Sequence, residues 1–227
     1  MNPIAKLWYW GLDYAYVSFW QVHSFVFRRN PADYLTDAAT KDPILLLPGI
    51  YETWQFMRPL ADRARANGHP VHVVTPLGRN AATVAASAQL VADYITNHNL
   101  TRVTIVAHSK GGLIGKYVMV LLDAERRISR MIAISTPFSG SIYARLFFIP
   151  SIRAFSPRDK TTLMLAANLE VNSRITSIYG VFDPHIPGGS ELGGATNIRL
   201  DTAGHFRIIA DKTLLQTVDR ILGDPIS

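Results

Sequence analysis

The stretch Val103-Thr-Ile-Val-Ala-His-Ser-Lys-Gly-Gly112 carries the most information about the fold. Its first five residues are apolar or β-branched, which predicts a buried strand, and a helical pattern begins directly after Ser109. Small residues lie two positions before and two positions after this serine, at Ala107 and Gly111. A serine on a tight strand-to-helix turn needs small neighbours, because larger side chains would collide across the turn. The stretch therefore predicts a nucleophile elbow that presents the Ser109 hydroxyl at the end of a strand.

Short apolar runs alternate with longer helical segments on both sides of this elbow. The runs are Ile44–Leu47, Val71–Val74, Val103–Ala107, Met131–Ser135, Ile175–Tyr179 and Asn197–Leu200. The segments long enough for helices include Gln55–Ala66, Thr83–His98 and Gly111–Leu122. Strands that alternate with helices predict a mainly parallel sheet of about six strands, covered by helices on both faces. Because ligands of such sheets bind at the carboxyl ends of the strands, we expect the chemistry there.

Three motifs resemble those of the α/β-hydrolase superfamily and, within it, of bacterial serine lipases and esterases. The Ala-His-Ser-x-Gly-Gly form of the elbow is similar to that of small Bacillus-type lipases. The stretch Ile44-Leu-Leu-Leu-Pro-Gly-Ile50 resembles the strand and oxyanion turn of the family, and Ile134-Ser-Thr-Pro-Phe-Ser-Gly-Ser141 resembles its Thr-Pro-x-x-Gly-Ser loop. The resemblance covers about residues 43–222. It implies the α/β-hydrolase fold and a serine hydrolase that uses no metal or organic cofactor.

A serine nucleophile needs a histidine base, which in turn needs a carboxylate to orient it. His205 is the candidate base, because it lies in the loop between the last strand and the last helix. Asp183 is the candidate acid, since it follows the preceding strand and resembles the acid loop of the family. Asp201 competes because it lies four residues before His205, and Asp159 is a third choice. The chain order serine, aspartate, histidine favours Asp183.

Two backbone N–H groups are expected to form an oxyanion hole, those of Ile50 and Lys110. Tyr51 is the alternative donor, and Pro48 stands where the family usually has a histidine. Losing one such donor typically costs about 2.7–4 kcal/mol of transition-state stabilisation.

Residues 139–173 form the one sizeable insertion between the predicted core elements. They are either a single core helix with a long loop or a small cap over an apolar pocket. The candidate substrate-binding residues are Tyr51, Phe138, Leu146, Phe147 and Phe148.

Residues 1–40 precede the predicted hydrolase domain, which spans residues 41–227. Nine of the 23 aromatic residues lie between Leu7 and Phe27, and Asp13 within this segment argues against a membrane span. Two interpretations fit the segment: a helix that packs on the main domain or on a second subunit, or an interfacial helix on a membrane. The segment is not a convincing signal peptide, so we expect a cytoplasmic protein with peripheral membrane contact through residues 7–27 or the basic cap.

The composition of the 227-residue chain excludes several kinds of site and limits the classes of partner. The absence of cysteine excludes disulfides, thiolate metal sites and a cysteine nucleophile. The net charge of +6 is concentrated in residues 102–174, which carry eleven Lys and Arg against four Asp and Glu. This charge is either a solvated basic face or a surface for an anionic partner. No nucleic-acid-binding motif is present, so we expect no such partner.

The motifs together predict a serine carboxylic-ester hydrolase of the lipase or esterase type. Ser109 would attack the ester carbonyl, His205 would carry the proton, and water would release the acid from an acyl-enzyme. Two alternatives remain, an acyltransferase that uses the same three residues and a non-catalytic lipid-binding protein with the hydrolase fold.

Overall fold

The computed structural model describes residues 2–35, 41–141, 143 and 156–224. It contains a six-stranded sheet in which every neighbouring pair of strands is parallel. The strands are β1 (Ile44–Leu47), β2 (Val71–Val73), β3 (Val103–His108), β4 (Ile128–Ile134), β5 (Ile175–Phe182) and β6 (Thr196–Ala203). Their order across the sheet is β2-β1-β3-β4-β5-β6. The predicted six-stranded parallel sheet is therefore confirmed.

Helices connect these strands, as the alternating pattern predicts. Those in the described ranges are α1 (Pro3–Val26), α2 (Arg58–Ala66), α3 (Val84–Asn97), α4 (Lys110–Leu121), α5 (Lys160–Ala167) and α6 (Lys212–Gly223). Helix α2 begins three residues later than the predicted Gln55–Ala66, because Trp54–Met57 forms a 3-10 turn. Pro59 lies in the first turn of α2, where its missing N–H leaves no unsatisfied donor.

Side chains on the two faces of the sheet form two separate hydrophobic clusters. Leu45 and Leu47 of β1 pack into the cluster that includes α3 and α4. Ile44 and Leu46 point to the opposite face, where the cluster includes α2 and α6. All four residues are buried, as expected for a strand covered on both faces. The central strands β1 and β3 thus give the site a rigid base.

Helix α1 packs on this second face rather than standing apart from the core. Tyr16, Val17 and Trp20 contact the cluster that contains α2 and α6. Residues 36–40, between α1 and β1, lie outside the described ranges, so the boundary near residue 40 stays a prediction. Among the helices described, none has the length and hydrophobicity required to cross a membrane.

The insertion predicted as a cap is described only in part. Leu146, Phe147 and Phe148 lie outside the described residues, so their proposed role stays a prediction. The second half contains α5, which Asp159 caps by accepting hydrogen bonds from the N–H groups of Thr161 and Thr162. Asp159 therefore caps the start of a helix, and the carboxylate bonded to the ring of the candidate base is that of Asp183.

Candidate active site

Ser109 lies between β3 and α4, on a turn that the neighbouring strands shape. Its φ of 51° and ψ of −119° are rare for a residue with a side chain, and such a conformation typically costs about 1–3 kcal/mol. The Ser109 N–H donates to the Ile134 carbonyl at 2.8 Å and so ties the turn to β4. A Cβ on Gly111 would lie 2.1 Å from the Leu47 carbonyl oxygen. The small residue is therefore needed because α4 begins against β1, and not only because the turn itself is tight.

The three side chains predicted for catalysis form one chain of hydrogen bonds. Nε2 of His205 lies 2.9 Å from Ser109 Oγ, and Nδ1 lies 2.7 Å from Asp183 Oδ2. The second oxygen of Asp183 accepts the N–H groups of His185 and Ile186 at 2.8 and 3.0 Å. Since a carboxylate can only accept, these contacts assign the ring proton to Nδ1 and leave Nε2 free to accept the serine proton. All three side chains are buried.

Opposing effects set the protonation of the His205–Asp183 pair. Burial alone would lower the pKa of His205, but the charge and hydrogen bond of Asp183, together with the charges of Glu52 and Asp13, raise this pKa above the usual value. Burial alone would raise the pKa of Asp183, but the charge and hydrogen bond of His205 lower it. The geometry therefore combines an ionised carboxylate with a histidine that is a stronger base than usual.

Asp201, the competing carboxylate, is exposed within β6. The structure brings Asp183, and not Asp201, to His205.

The turn predicted to form the oxyanion hole is held by a buried carboxylate, Glu52, which local sequence patterns do not identify. Glu52 Oε2 accepts the Gly49 N–H at 2.7 Å and faces Nδ1 of His108 at 2.9 Å. Nε2 of the same His108 ring lies 2.9 Å from the His205 carbonyl oxygen. One buried network therefore joins the oxyanion turn, the elbow and the loop of the candidate base. Pro48 stands where the family usually has a histidine that shapes this turn. In this chain the Glu52 carboxylate holds the turn through the Gly49 N–H.

The Glu52 carboxylate occupies the space that a side chain at position 49 would need. A Cβ at Gly49 would lie 2.8 Å from the carboxylate atoms of Glu52, so a side chain there would displace it. On the other side of the turn, the Asn80 side-chain amide donates to the Pro48 carbonyl at 2.7 Å.

Replacing Glu52 with glutamine is expected to lower kcat about 10–100-fold, with KM changed only a few-fold. Glutamine keeps the shape of the side chain but removes its charge. A neutral amide oxygen accepts hydrogen bonds less strongly than a carboxylate, so the contacts with the Gly49 N–H and with His108 are both weakened. The loss is smaller than that of a deleted oxyanion donor, because the N–H groups remain in the chain. Steady-state kinetics on a soluble ester, with the exposed Glu170→Gln as matched control, measure the effect. An unchanged kcat in Glu52→Gln would show that the carboxylate does not shape the turn.

The role of the two predicted oxyanion donors stays a prediction, and the structure shows where both residues lie. Lys110 is the first residue of α4, and Ile50 follows the Pro48-Gly49 turn. Within the described ranges, neither N–H has a hydrogen-bond partner. The N-terminus of α4 adds its positive dipole to the same place. The Lys110 ammonium points elsewhere, since it donates to the carbonyls of Asn80 and Ala82, and burial lowers its pKa to about 8.

Two further residues predicted to touch substrate are described. Tyr51 has a φ of 59° and is partly exposed, and its carbonyl accepts a hydrogen bond from the Gln21 side chain of α1 at 3.1 Å. Phe138 is buried, with the Lys116 ammonium 6.0 Å from its ring centre. Their contact with substrate stays a prediction.

Helix α1 contributes a buried carboxylate to the loop of the candidate base. Asp13 is 0% exposed and accepts three backbone N–H groups, those of His205 at 2.9 Å, Phe206 at 2.8 Å and Arg207 at 2.9 Å. Three donors on one carboxylate hold the loop in a single conformation. In the sequence, Asp13 stands out as a lone carboxylate within an aromatic segment. No local pattern indicates that it binds the loop of His205. Asp13 is therefore a positioning residue for His205.

Replacing Asp13 with asparagine is expected to lower kcat about 10–100-fold, because a misplacement near 1 Å typically costs on the order of 10² in rate. The Asp13 charge also helps to raise the pKa of His205. The acid limb of the pH profile of kcat/KM should therefore move to lower pH, which a purely structural defect would not cause. The exposed Asp33→Asn is the control. A profile identical to that of the control would contradict this role.

His185 is a second histidine beside the candidate base. Its ring centre lies 5.0 Å from that of His205, and burial lowers the pKa of His185 to about 4. It is therefore neutral near pH 7, and its Nε2 is buried without a hydrogen-bond partner in the described ranges. The described residues contain no group of three or more side chains suited to a metal ion.

A groove of about 690 Å³ opens between α1 and the acid loop. Leu7 and Trp10 of α1 line one side, and Phe182, Asp183 and Ile186 line the other. Ser109 does not line it, so the groove reaches the site from the side of the acid.

Comparison with curated proteins finds similarity to bacterial lipases. The chain is 26% identical over 157 residues to a triacylglycerol lipase of Pseudarthrobacter phenanthrenivorans, covering 63% of this chain and 47% of that protein. It is also 26% identical over 157 residues to a triacylglycerol lipase of Burkholderia plantarii, covering 63% and 42%. The chain thus spans less than half the length of these relatives. No protein-family model matches it.

Solved structures share the fold at low sequence identity. An extracellular α/β-hydrolase of a Paenibacillus species superposes with a TM-score of 0.57 and 18% identity, covering 81% of this chain and 100% of that one. The mature lipase BlEst2 of Bacillus licheniformis gives 0.58 and 18%, covering 83% and 94%. Together with the parallel sheet and the strand–serine–helix turn, these likenesses show that the chain has the α/β-hydrolase fold and that its sequence is similar to bacterial triacylglycerol lipases.

Proposed function

We propose that the protein is a serine carboxylic-ester hydrolase of the lipase or esterase type. The observation that carries the proposal is the buried chain of hydrogen bonds from Ser109 through His205 to Asp183, at the carboxyl end of β3. Such an arrangement makes a serine hydroxyl nucleophilic because the base is within reach and correctly protonated. The similarity to triacylglycerol lipases supports an ester as the substrate.

In the proposed reaction, Ser109 Oγ attacks the ester carbonyl while His205 Nε2 takes its proton. The N–H groups of Ile50 and Lys110 stabilise the negative charge on the carbonyl oxygen, aided by the N-terminus of α4. The C–O bond to the alcohol breaks, and His205 returns the proton to the leaving alkoxide. Water then attacks the acyl-enzyme with His205 again as base, which releases the acid and restores the serine.

Hydrolysis of p-nitrophenyl esters from C2 to C16 tests this proposal and measures the preferred acyl length. We expect turnover by the wild type and none above background by Ser109→Ala. A parallel series with a primary alcohol as acceptor separates hydrolysis from acyl transfer, because a transferase would give the new ester faster than the free acid. Absence of turnover across the whole series by folded wild type would contradict the proposal.

A further inference from the structure

Helix α1 has two faces of opposite character. Its inner face contacts the domain through Asp13, Tyr16, Trp20 and Ser24, of which Asp13 and Ser24 are buried. Its outer face is exposed, and the large side chains on it are mostly apolar. Of the eighteen large apolar residues that are exposed in the described ranges, eleven belong to α1 or directly follow it: Ile4, Leu7, Trp8, Trp10, Leu12, Tyr14, Phe19, Val22, Phe25, Val26 and Phe27. We call this set the α1 outer face.

A surface of this kind needs a partner. Soluble monomers rarely expose a continuous apolar patch of more than a few hundred Å², and larger patches usually mark a protein or membrane contact. Trp8, Val22 and Phe25 are 65%, 65% and 73% exposed, so neither the start nor the end of the helix is covered by the rest of the chain. The groove beside the acid loop begins at this same surface, since Leu7 and Trp10 belong to both.

The charges around the α1 outer face identify the partner. Arg28 and Arg29 follow the end of the helix directly. Lys6, near its start, lies with its ammonium 5.7 Å from the centre of the Phe182 ring, at the groove beside the acid loop. Arg79, which is exposed, reaches the helix by donating to the Gln21 side chain at 2.9 Å. The single carboxylate of α1, Asp13, faces inward and is fully buried. Apolar and aromatic side chains flanked by cations are the composition of helices that lie in the headgroup region of anionic membranes.

We infer that the α1 outer face docks on an anionic lipid surface, with the helix axis in the plane of that surface. Trp and Tyr rings would lie at the headgroup level, and Arg28 and Arg29 after the end of the helix would contact lipid phosphates. The inner face remains on the domain, because its hydrogen bonds and packing are made within the chain.

A second copy of the chain is a poorer partner for this face. In a parallel pairing the Arg28 and Arg29 side chains of the two copies would meet, and the outer face has no carboxylate to balance them. Like charges brought together in this way oppose association.

Docking at this face would reach the candidate active site through two contacts of the inner face. Asp13 holds the loop of His205, and Gln21 donates to Tyr51 beside the oxyanion turn. A lipid surface on α1 would therefore contact the helix that holds the His205 loop and the turn at Tyr51. This last step rests on the proposed ester hydrolysis, whereas the docking itself does not.

Vesicle co-sedimentation of the full chain tests the inference. We expect the wild type to bind vesicles of phosphatidylcholine and phosphatidylglycerol at least ten-fold more tightly than pure phosphatidylcholine, and added salt should reduce this preference. Arg28→Gln with Arg29→Gln should weaken binding to the anionic vesicles about 30-fold, since each cation near such a surface is worth about 1 kcal/mol. Trp8→Ser with Val22→Ser and Phe25→Ser should weaken binding to both kinds of vesicle at least ten-fold.

Matched controls keep the result interpretable. Leu121→Ser removes an exposed apolar residue from α4, is 52% exposed in the wild type, and should bind as the wild type does. Circular dichroism and hydrolysis of a soluble short ester report whether each variant is folded. Ser109→Ala should bind vesicles as the wild type does, although it is inactive. A folded wild type that binds vesicles but hydrolyses no ester would refute the proposed function and leave the docking intact. Equal binding by the triple variant and the wild type, or a dimer in ultracentrifugation that the triple variant dissociates, would overturn the inference.

Discussion

Replacing Ser109 with alanine is expected to lower kcat for ester hydrolysis by about 10⁵–10⁶-fold, to near the background rate. The serine oxygen is the atom proposed to form the acyl-enzyme, and alanine leaves no group at the end of β3 to replace it. The substitution should not unfold the protein, because the backbone contacts of the turn, including the 2.8 Å bond to the Ile134 carbonyl, do not use the side chain. Kinetics on the preferred p-nitrophenyl ester measure the loss.

Ser129→Ala is the matched control for this substitution. Ser129 lies near the start of β4, at the opposite end of the sheet from the elbow, and its hydroxyl donates to the Val103 carbonyl at 3.1 Å. Its kcat should stay within about two-fold of the wild type, as for surface changes remote from a site. Residual activity of Ser109→Ala within ten-fold of the wild type would show that another group is the nucleophile.

Replacing Asp183 with asparagine is expected to lower kcat by about 10⁴-fold, through the tautomer of His205. The carboxylate accepts the Nδ1 proton at 2.7 Å, whereas an amide can turn its NH₂ group toward that nitrogen. The ring proton would then sit on Nε2, which could no longer accept from Ser109. Asp201→Asn, which changes an exposed carboxylate four residues before His205, should remain fully active.

The pH profile gives this substitution a second readout. In the wild type, kcat/KM should fall as the pH decreases through the pKa of His205, which lies above 6.5 because Asp183 stabilises the imidazolium. Removing that charge lowers the pKa of His205, so the remaining activity of Asp183→Asn should persist to lower pH. If Asp201→Asn instead showed the large loss and the shifted profile, the assignment of the acid would be wrong.

Local patterns predicted most of the fold. The run Ile44–Leu47 coincides with β1, and the helix predicted over Thr83–His98 differs from α3 by one residue at each end. Strand β5 was predicted to end at Tyr179 but continues to Phe182. In the sequence, Gly180 interrupts the apolar run and so suggests the end of a strand. In the sheet the strand continues through Gly180, which allows β6 to approach closely, because a Cβ there would lie 2.4 Å from the Thr202 carbonyl oxygen.

The supports of the candidate site could not be predicted in the same way, because they join distant parts of the chain. Ser109, Asp183 and His205 stand at strand ends, where a local pattern identifies them. Asp13 meets His205 across 192 positions, and Glu52 meets His108 across 56, and no periodicity relates such pairs. Both carboxylates are buried, and a buried charge is costly unless it is paired and hydrogen-bonded. Asp13 and Glu52 therefore hold the groups that they contact in place.

Labelling of the folded, full chain with a fluorophosphonate, followed by peptide mapping, shows whether Ser109 is an activated nucleophile. The reagent phosphonylates a serine only where a base and an oxyanion hole activate it, and it needs no knowledge of the natural ester. We predict one label per chain, on Ser109, lost in Ser109→Ala and greatly slowed in Asp183→Asn. A folded protein that takes up no label, or that carries it on another residue, would contradict the account.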